Sequence, residues 1–328
     1  MTRRWTTFFA AAVLVAATTG VITAQQESIE EIRTSAERGT PEEQLQVGFL
    51  YLNGQGVPPD AVEAVRWMRM AMESGYSHAQ YWLGRMYSQG RGVPQDTAEA
   101  VRLYRLAADQ GHIGAQYSFG VMYADGQGVP QDDAEAARWF RLAADQEHAR
   151  AQFNLGQAYR EGRGVPQDDA EAVRWFRLAA DQGYMYSQAL LGAAYANGDG
   201  VPQDHAEAVR WSRLAADQGD MYGQALLGAA YANGDGVPQD YVEALRWFRL
   251  AAEQGESGAQ FNLGGMYATG SGVPQDDVLA YMWFNLSAAL GYGEDAVKAR
   301  DQVANRLTPD QRAEAQRLAR EWDEAHPR

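Results

Sequence analysis

Residues 77–112 read SHAQYWLGRMYSQGRGVPQDTAEAVRLYRLAADQGH, and the pattern recurs seven times along the chain. Val-Pro pairs begin at Val57, Val93, Val129, Val165, Val201, Val237 and Val273, each 36 residues after the last. The same period recovers glutamines from Gln44 to Gln260, glycines from Gly48 to Gly264, tyrosines from Tyr51 to Tyr267, and glycine pairs from Gly54/Gly56 to Gly270/Gly272. No gap is needed, and residues 185–220 and 221–256 differ at only seven of 36 positions, which marks a tandem duplication. A fixed period of this length means that each unit is one supersecondary element, burying its apolar face against its neighbours.

Each unit reads as two helices. In the first, Ala79 to Gln89, the residues Leu83, Met86 and Tyr87 fall at helical spacing around Gly84, whose missing Cβ lets another helix approach closely. Gly90-Arg91-Gly92 stops that helix, and Val93-Pro94 forces an extended link, because proline disfavours helix in the residue before it. The second helix opens at Asp96 with Glu99 three residues on, the spacing of a capping box, and only the seventh unit breaks the pair, with Asp276 followed by Leu279. Ala100, Leu103/Tyr104 and Ala107 form its apolar stripe, and Gly111 ends it. Trp67, Trp139, Trp175, Trp211, Trp247 and Trp283 share one slot, with Leu103 the exception. Large residues beside small alanines interdigitate between stacked helices, so this stripe is expected to be core.

The residues Ala79-Gln80, Leu83-Gly84, Tyr87, Gly90-x-Gly92-Val93, Asp96, Ala100 and Ala107-Ala108, with their counterparts, resemble the Sel-one-like repeat family, a branch of the tetratricopeptide superfamily. The resemblance spans about residues 40–292 and implies an all-α fold, a right-handed α/α solenoid (superhelix) of seven 36-residue helix–turn–helix repeats whose first helices line the concave side. It also implies an adaptor in signalling or macromolecular assembly. The family's secreted members staple each repeat with cysteines; this chain has none, so functions of that subgroup carry over poorly.

Outward from the repeats, at 41–292, the chain ends in different signals. Residues 25–40 are expected to form an N-terminal capping helix, with Ile32, Ala36 and Gly39 falling one period before Met68, Met72 and Gly75. Thr40-Pro41-Glu42-Glu43 then starts the first full unit with a cap and a proline in the first turn. Residues 293–328 read as C-terminal capping helices, about 294–306 and 309–323, with Trp322 closing the apolar end of the stack; a partner helix docking there is the alternative. Residues 1–24 hold Arg3 and Arg4, a dense apolar run from Phe8 to Ala17 and a small residue, Ala24, before Gln25-Gln26-Glu27. This is the layout of a secretory signal peptide cut after Ala24, and implies a periplasmic or secreted protein of the bacterial type; an uncleaved anchor is the alternative.

Composition narrows the function. Of the 328 residues, 46% are hydrophobic, 22% are charged and none is cysteine, so a packed core is expected without disulfides or a thiol nucleophile. The 28 basic and 43 acidic side chains give a net charge of −15, which becomes −17 once Arg3 and Arg4 are removed. Such a surface repels phosphate, so no nucleic-acid partner is expected, nor a membrane span after cleavage, and the solenoid ends do not demand more than a monomer. Gly-x-Gly recurs without a preceding strand or a following Lys-Ser/Thr, and Asp132-Asp133 and Asp168-Asp169 lack the alternating spacing of a calcium loop. His78, His112, His148, His205 and His326 are dispersed along the chain, against a three-ligand zinc site. No catalytic residue, metal ligand or cofactor is therefore nominated, and the chain reads as a non-catalytic scaffold.

Its binding surface is expected where the first helices vary between repeats. Counting from each glutamine, offsets two, five and nine share a face. In repeats one to four they supply Phe49, Trp82, Arg85, Asn154, Gln157 and Glu161; in repeats five to seven they supply Leu190, Leu226 and small alanines. The first set is the expected partner-binding site, since a Trp beside an Arg is typical of interface hot spots, and the expected ligand is a protein or an extended peptide. A glycan or cell-wall binder, with Tyr81, Trp82, Tyr117 and Phe153 stacking on sugar faces, is the second reading, and an envelope hydrolase the third.

Overall fold

The computed structural model describes residues 30–326. The expected signal segment and its cleavage point lie outside the described residues. The chain divides into two compact units, one up to His148 and one from Ala149 onward.

The first unit begins with a helical stretch at 30–36, followed by α1 (Pro41–Asn53), α2 (Ala61–Glu73), α3 (Ser77–Gln89), α4 (Thr97–Asp109), α5 (Ile113–Asp125) and α6 (Asp133–Ala144). The second holds α7 (Ala149–Glu161), α8 (Asp169–Asp181), α9 (Met185–Asn197), α10 (His205–Asp217), α11 (Met221–Asn233), α12 (Tyr241–Glu253), α13 (Ser257–Thr269), α14 (Asp277–Ala289), α15 (Glu294–Ala304) and α16 (Pro309–Ala325). The described residues contain no strand. Odd-numbered helices up to α13 are the first helices of the seven repeats and even-numbered ones up to α14 the second.

The seven aspartates from Asp60 to Asp276 sit at the N-caps of the second helices; Asp96, for instance, accepts from the N–H of Glu99 at 3.0 Å. The reciprocal half of the capping box is missing. The aspartate's own N–H already donates to the carbonyl of a tyrosine in the preceding helix, as from Asp96 to Tyr87 at 3.0 Å. Glu99 turns outward instead and clasps the Arg102 guanidinium, at 2.8 and 2.6 Å, while Glu63 and Glu207 accept from the indole N–H groups of Trp67 and Trp211. Among the described residues, complete boxes form only where no preceding helix supplies that carbonyl, at Thr40/Glu43 and Thr308/Gln311.

Packing within a repeat turns on the invariant glycine. A Cβ added at Gly156 would lie 2.6 Å from the Phe176 ring, and one at Gly264 2.6 Å from Phe284. These contacts are too short for any side chain, so the two helices of these repeats meet backbone to ring, while Met68 and Ser212 stand in the ring's place against Gly48 and Gly192. The tryptophan slot is buried from Trp67 to Trp283, with Leu103 equally enclosed, as its core reading requires.

Within a repeat the two helices are tied by a pair of glutamines, and the pairs form a ladder along the chain. The side-chain amide of Gln110 donates to Gln80 Oε1 at 2.8 Å and that of Gln146 to Gln116 at 2.8 Å in the first unit. In the second unit Gln182 donates to Gln152 (2.8 Å), Gln218 to Gln188 (2.7 Å) and Gln254 to Gln224 (2.9 Å). The accepting glutamines are buried, where an unpaired amide oxygen costs about 1–3 kcal/mol. The ladder stops at Leu290, and Gln260 Oε1 is left without a donor. Beyond it, Trp322 of α16 packs edge-on against Trp283, with ring centroids 4.9 Å apart.

Candidate functional site

The six residues expected to bind a partner fall in two places. In the first unit Phe49 of α1 meets Trp82 of α3 in a T-shaped contact at 4.9 Å, and the Arg85 guanidinium lies 4.5 Å from the Trp82 ring centroid. Trp82 is half-buried rather than exposed, its ring already gripped by its two neighbours. In the second unit Asn154, Gln157 and Glu161 lie along α7. Exposed Glu161 pairs with Arg160 (3.2 Å) and Arg163 (2.8 Å). Gln157 faces a cavity.

That cavity has a volume of about 580 Å³ and a mostly apolar wall. Leu190, Ala193, Leu226 and Ala229, the residues at offsets two and five in repeats five and six, form its floor, and Tyr186 and Tyr222 flank it. Its origin is a substitution between repeats. In repeats two, three, four and seven the residue after the repeat glutamine carries a ring that packs against the residue 31 positions later: Tyr81 on His112 (4.5 Å), Tyr117 on His148 (4.7 Å), Phe153 beside Tyr184 (5.3 Å) and Phe261 on Tyr292 (4.8 Å); repeat one has the buried Leu45 there. In repeats five and six the ring is replaced by Ala189 and Ala225, and its partner by Asp220 and Glu256. Two ring pairs are thus missing in succession, and all four replacements line the cavity.

The sequence comparison could have found this. The ring slot and its partner change together in repeats five and six, but they lie at offset one, outside the three offsets read as the binding face. The same packing bears on the aromatic side chains considered for sugar stacking. Tyr81, Tyr117 and Phe153 already lie against His112, His148 and Tyr184.

The cavity's polar groups are chiefly acceptors. Asp220 is only 4% exposed, and its Oδ1 takes the N–H of Gly223 at 2.7 Å, capping α11. Burial pushes its carboxyl pKa upward, opposed by hydrogen bonds from the N–H groups of Gly223 and Tyr222. Glu256 caps α13 in the same way, through Gly258 (3.0 Å) and Ala259. Among the described residues neither carboxylate forms an ion pair with an arginine or lysine. The enclosed Gln157 Oε1 has no hydrogen-bond donor. Arg160 is the cation on the rim.

At the corresponding N-cap in the first unit, His112 Nδ1 accepts from the N–H of Ala115 at 3.1 Å. Histidines dispersed in sequence meet here, His78 lying 4.6 Å from His112. Burial, and then the neighbouring His78, lower the His112 pKa to about 4, so the ring stays neutral and free to accept. Among the described residues no three His, Asp or Glu side chains converge on a point, and no helix is long and apolar enough to cross a membrane.

Set beside known proteins, the chain carries seven matches to the Sel1 repeat, at residues 44–76, 77–112, 113–148, 149–184, 186–220, 222–256 and 257–292. A Sel1 repeat protein from Oxalobacter formigenes is 39% identical over 85% of this chain and 80% of its own, with a TM-score of 0.63. The protein c5321, described as a protective antigen of uropathogenic Escherichia coli displaying an SLR fold, is 27% identical over 92% of this chain and 88% of its own, with a TM-score of 0.54. No curated protein matches the chain. Proteins built of Sel1 repeats are generally non-catalytic scaffolds for protein interaction. With seven contiguous repeats and an all-helical solenoid fold, the chain belongs to the Sel1 repeat family.

Proposed function

We propose that the chain is an exported, non-catalytic scaffold that takes a segment of another protein into the cavity of its second unit. The observation that carries this reading is the apolar cavity left by two successive missing ring pairs, on the same helices that elsewhere keep the slot filled. A cavity of this size with a few directed polar groups suits side chains of an extended segment. Phe49, Trp82 and Arg85 are proposed as a separate contact in the first unit, with Asn154 and Glu161 flanking Gln157 in the second. Export rests on the apolar run from Phe8 to Ala17 and the small Ala24, and the mature protein is expected to begin at Gln25 on N-terminal sequencing.

The test is affinity capture from envelope extract by the wild type, by Ala229→Trp, which fills the cavity, and by Trp82→Ala/Arg85→Ala. Helical circular dichroism of the three should agree. A protein retained by the wild type and lost from Ala229→Trp supports the cavity. Loss only from the double mutant moves the site to the first unit, and identical retention by all three overturns both placements.

A further inference from the structure

The composition of the cavity says more about its occupant than that it is a protein. Four ring pairs show what the fold places in this slot when the chain fills it itself. With alanine at 189 and 225 neither position carries a ring, and both line the one cavity together with Leu190, Leu226 and the other alanines. An aromatic side chain entering there would replace the contacts that Tyr81 or Phe153 makes in its own repeat. At the place where His112 or Tyr184 faces the ring, however, the occupant would meet Asp220 or Glu256. Both carboxylates sit on helix N-caps that already use them as acceptors, neither has a cationic partner among the described residues, and Gln157 Oε1 is a further acceptor without a donor. A buried carboxylate facing an apolar ligand would carry its desolvation uncompensated, whereas an ammonium or guanidinium would offset it. The net charge of −15 steers the same class of ligand towards the chain from a distance.

Resting on the cavity reading above, we infer that the sockets at Ala189/Asp220 and Ala225/Glu256 recognise an extended peptide segment whose aromatic side chain is flanked by lysine or arginine. The ring fills the slot and the cation meets the carboxylate. Because the two sockets repeat with the period of the solenoid, a segment with two such aromatic positions engages both. An acidic aromatic segment is rejected by like charge, and a purely basic one leaves the floor empty.

The experiment selects a random peptide library on the full chain and counter-selects it on a filled variant. That variant carries Ala189→Tyr with Asp220→His and Ala225→Phe with Glu256→Tyr, pairs that repeats two and four already fold with. Peptides enriched on the wild type and lost from the filled variant should carry an aromatic residue next to Lys or Arg. Synthetic peptides Ala-Lys-Trp-Lys-Ala, Ala-Glu-Trp-Glu-Ala and Ala-Lys-Ala-Lys-Ala are then compared by fluorescence polarisation. The first should bind about tenfold more tightly than either of the others, and Asp220→Asn with Glu256→Gln should remove most of that margin while leaving the caps in place. If the wild-type-specific peptides are aliphatic or acidic, or if the charge-neutral variant binds the lysine peptide as well as the wild type, the cationic aromatic assignment is wrong while the cavity stands. Enrichment of nothing that the filled variant loses overturns both.

Discussion

At the scale of the residue, one sequence position can hold different chemistry without changing the backbone. The first-helix N-cap is His112 in one repeat, Asp220 in another and Glu256 in a third, and each accepts from N–H groups of its helix. Glu147 adopts φ 64° at the turn where other repeats carry glycine, so the repeat imposes its geometry even where the residue type resists it. The histidine version is conditional on pH. A folded pKa near 4, below the ordinary 6.5, means that the folded chain binds fewer protons than the unfolded one between those values. Its contribution is therefore complete above about pH 6.5 and declines as the pH falls towards 4. Since His112 is only about half-buried, solvent screening leaves roughly 1–2 kcal/mol of the nominal shift. Thermal melts at pH 7 and pH 4.5 should show a larger drop for the wild type than for His112→Asn, which keeps a cap and does not titrate. Equal drops would remove His112 from the account.

At the scale of the element, the two helices of a repeat are joined by a rung of the glutamine ladder, and its interruption makes two opposite predictions. Gln218→Leu leaves the buried Gln188 Oε1 without its donor and should destabilise the chain by about 1–2 kcal/mol in urea unfolding. Leu290→Gln places a donor where Gln260 Oε1 lacks one and should stabilise by up to about 1 kcal/mol. A destabilising Leu290→Gln would show that the leucine's apolar contacts outweigh the missing rung. The elements also explain the half-formed capping boxes. The aspartate N–H is taken by the preceding helix through a contact nine residues away in sequence, which pattern reading at three-residue spacing does not see.

At the scale of the whole molecule, a stack of repeats has ends, and the last one must cover an apolar face without a following repeat. Trp322 does this against Trp283, and His326 stacks on the Trp322 ring, with centroids 3.7 Å apart. Trp322→Ala should lower stability by about 2–3 kcal/mol and increase amide exchange first in α16 and then in α14. If exchange is unchanged in both helices, the seventh repeat does not depend on α16.

Period, helix pairing, the aspartate N-caps, the tryptophan core and the close approach at the glycines were determined by the sequence alone. Each is a local rule repeated seven times, and repetition averages out the ambiguity of any single window. The candidate site was only partly legible. Leu190, Leu226 and the alanines were visible as a distinct zone, but their small size reads as an absence of contact chemistry. Only the tertiary structure shows that such small residues make a cavity, because its volume is set by rings missing from positions 31 residues apart. It also decided that Trp82, conspicuous in sequence, is held by Phe49 and Arg85. Side-chain identity fixes what a residue can contact, and packing between helices decides which of those contacts the chain satisfies itself and which it leaves to a partner.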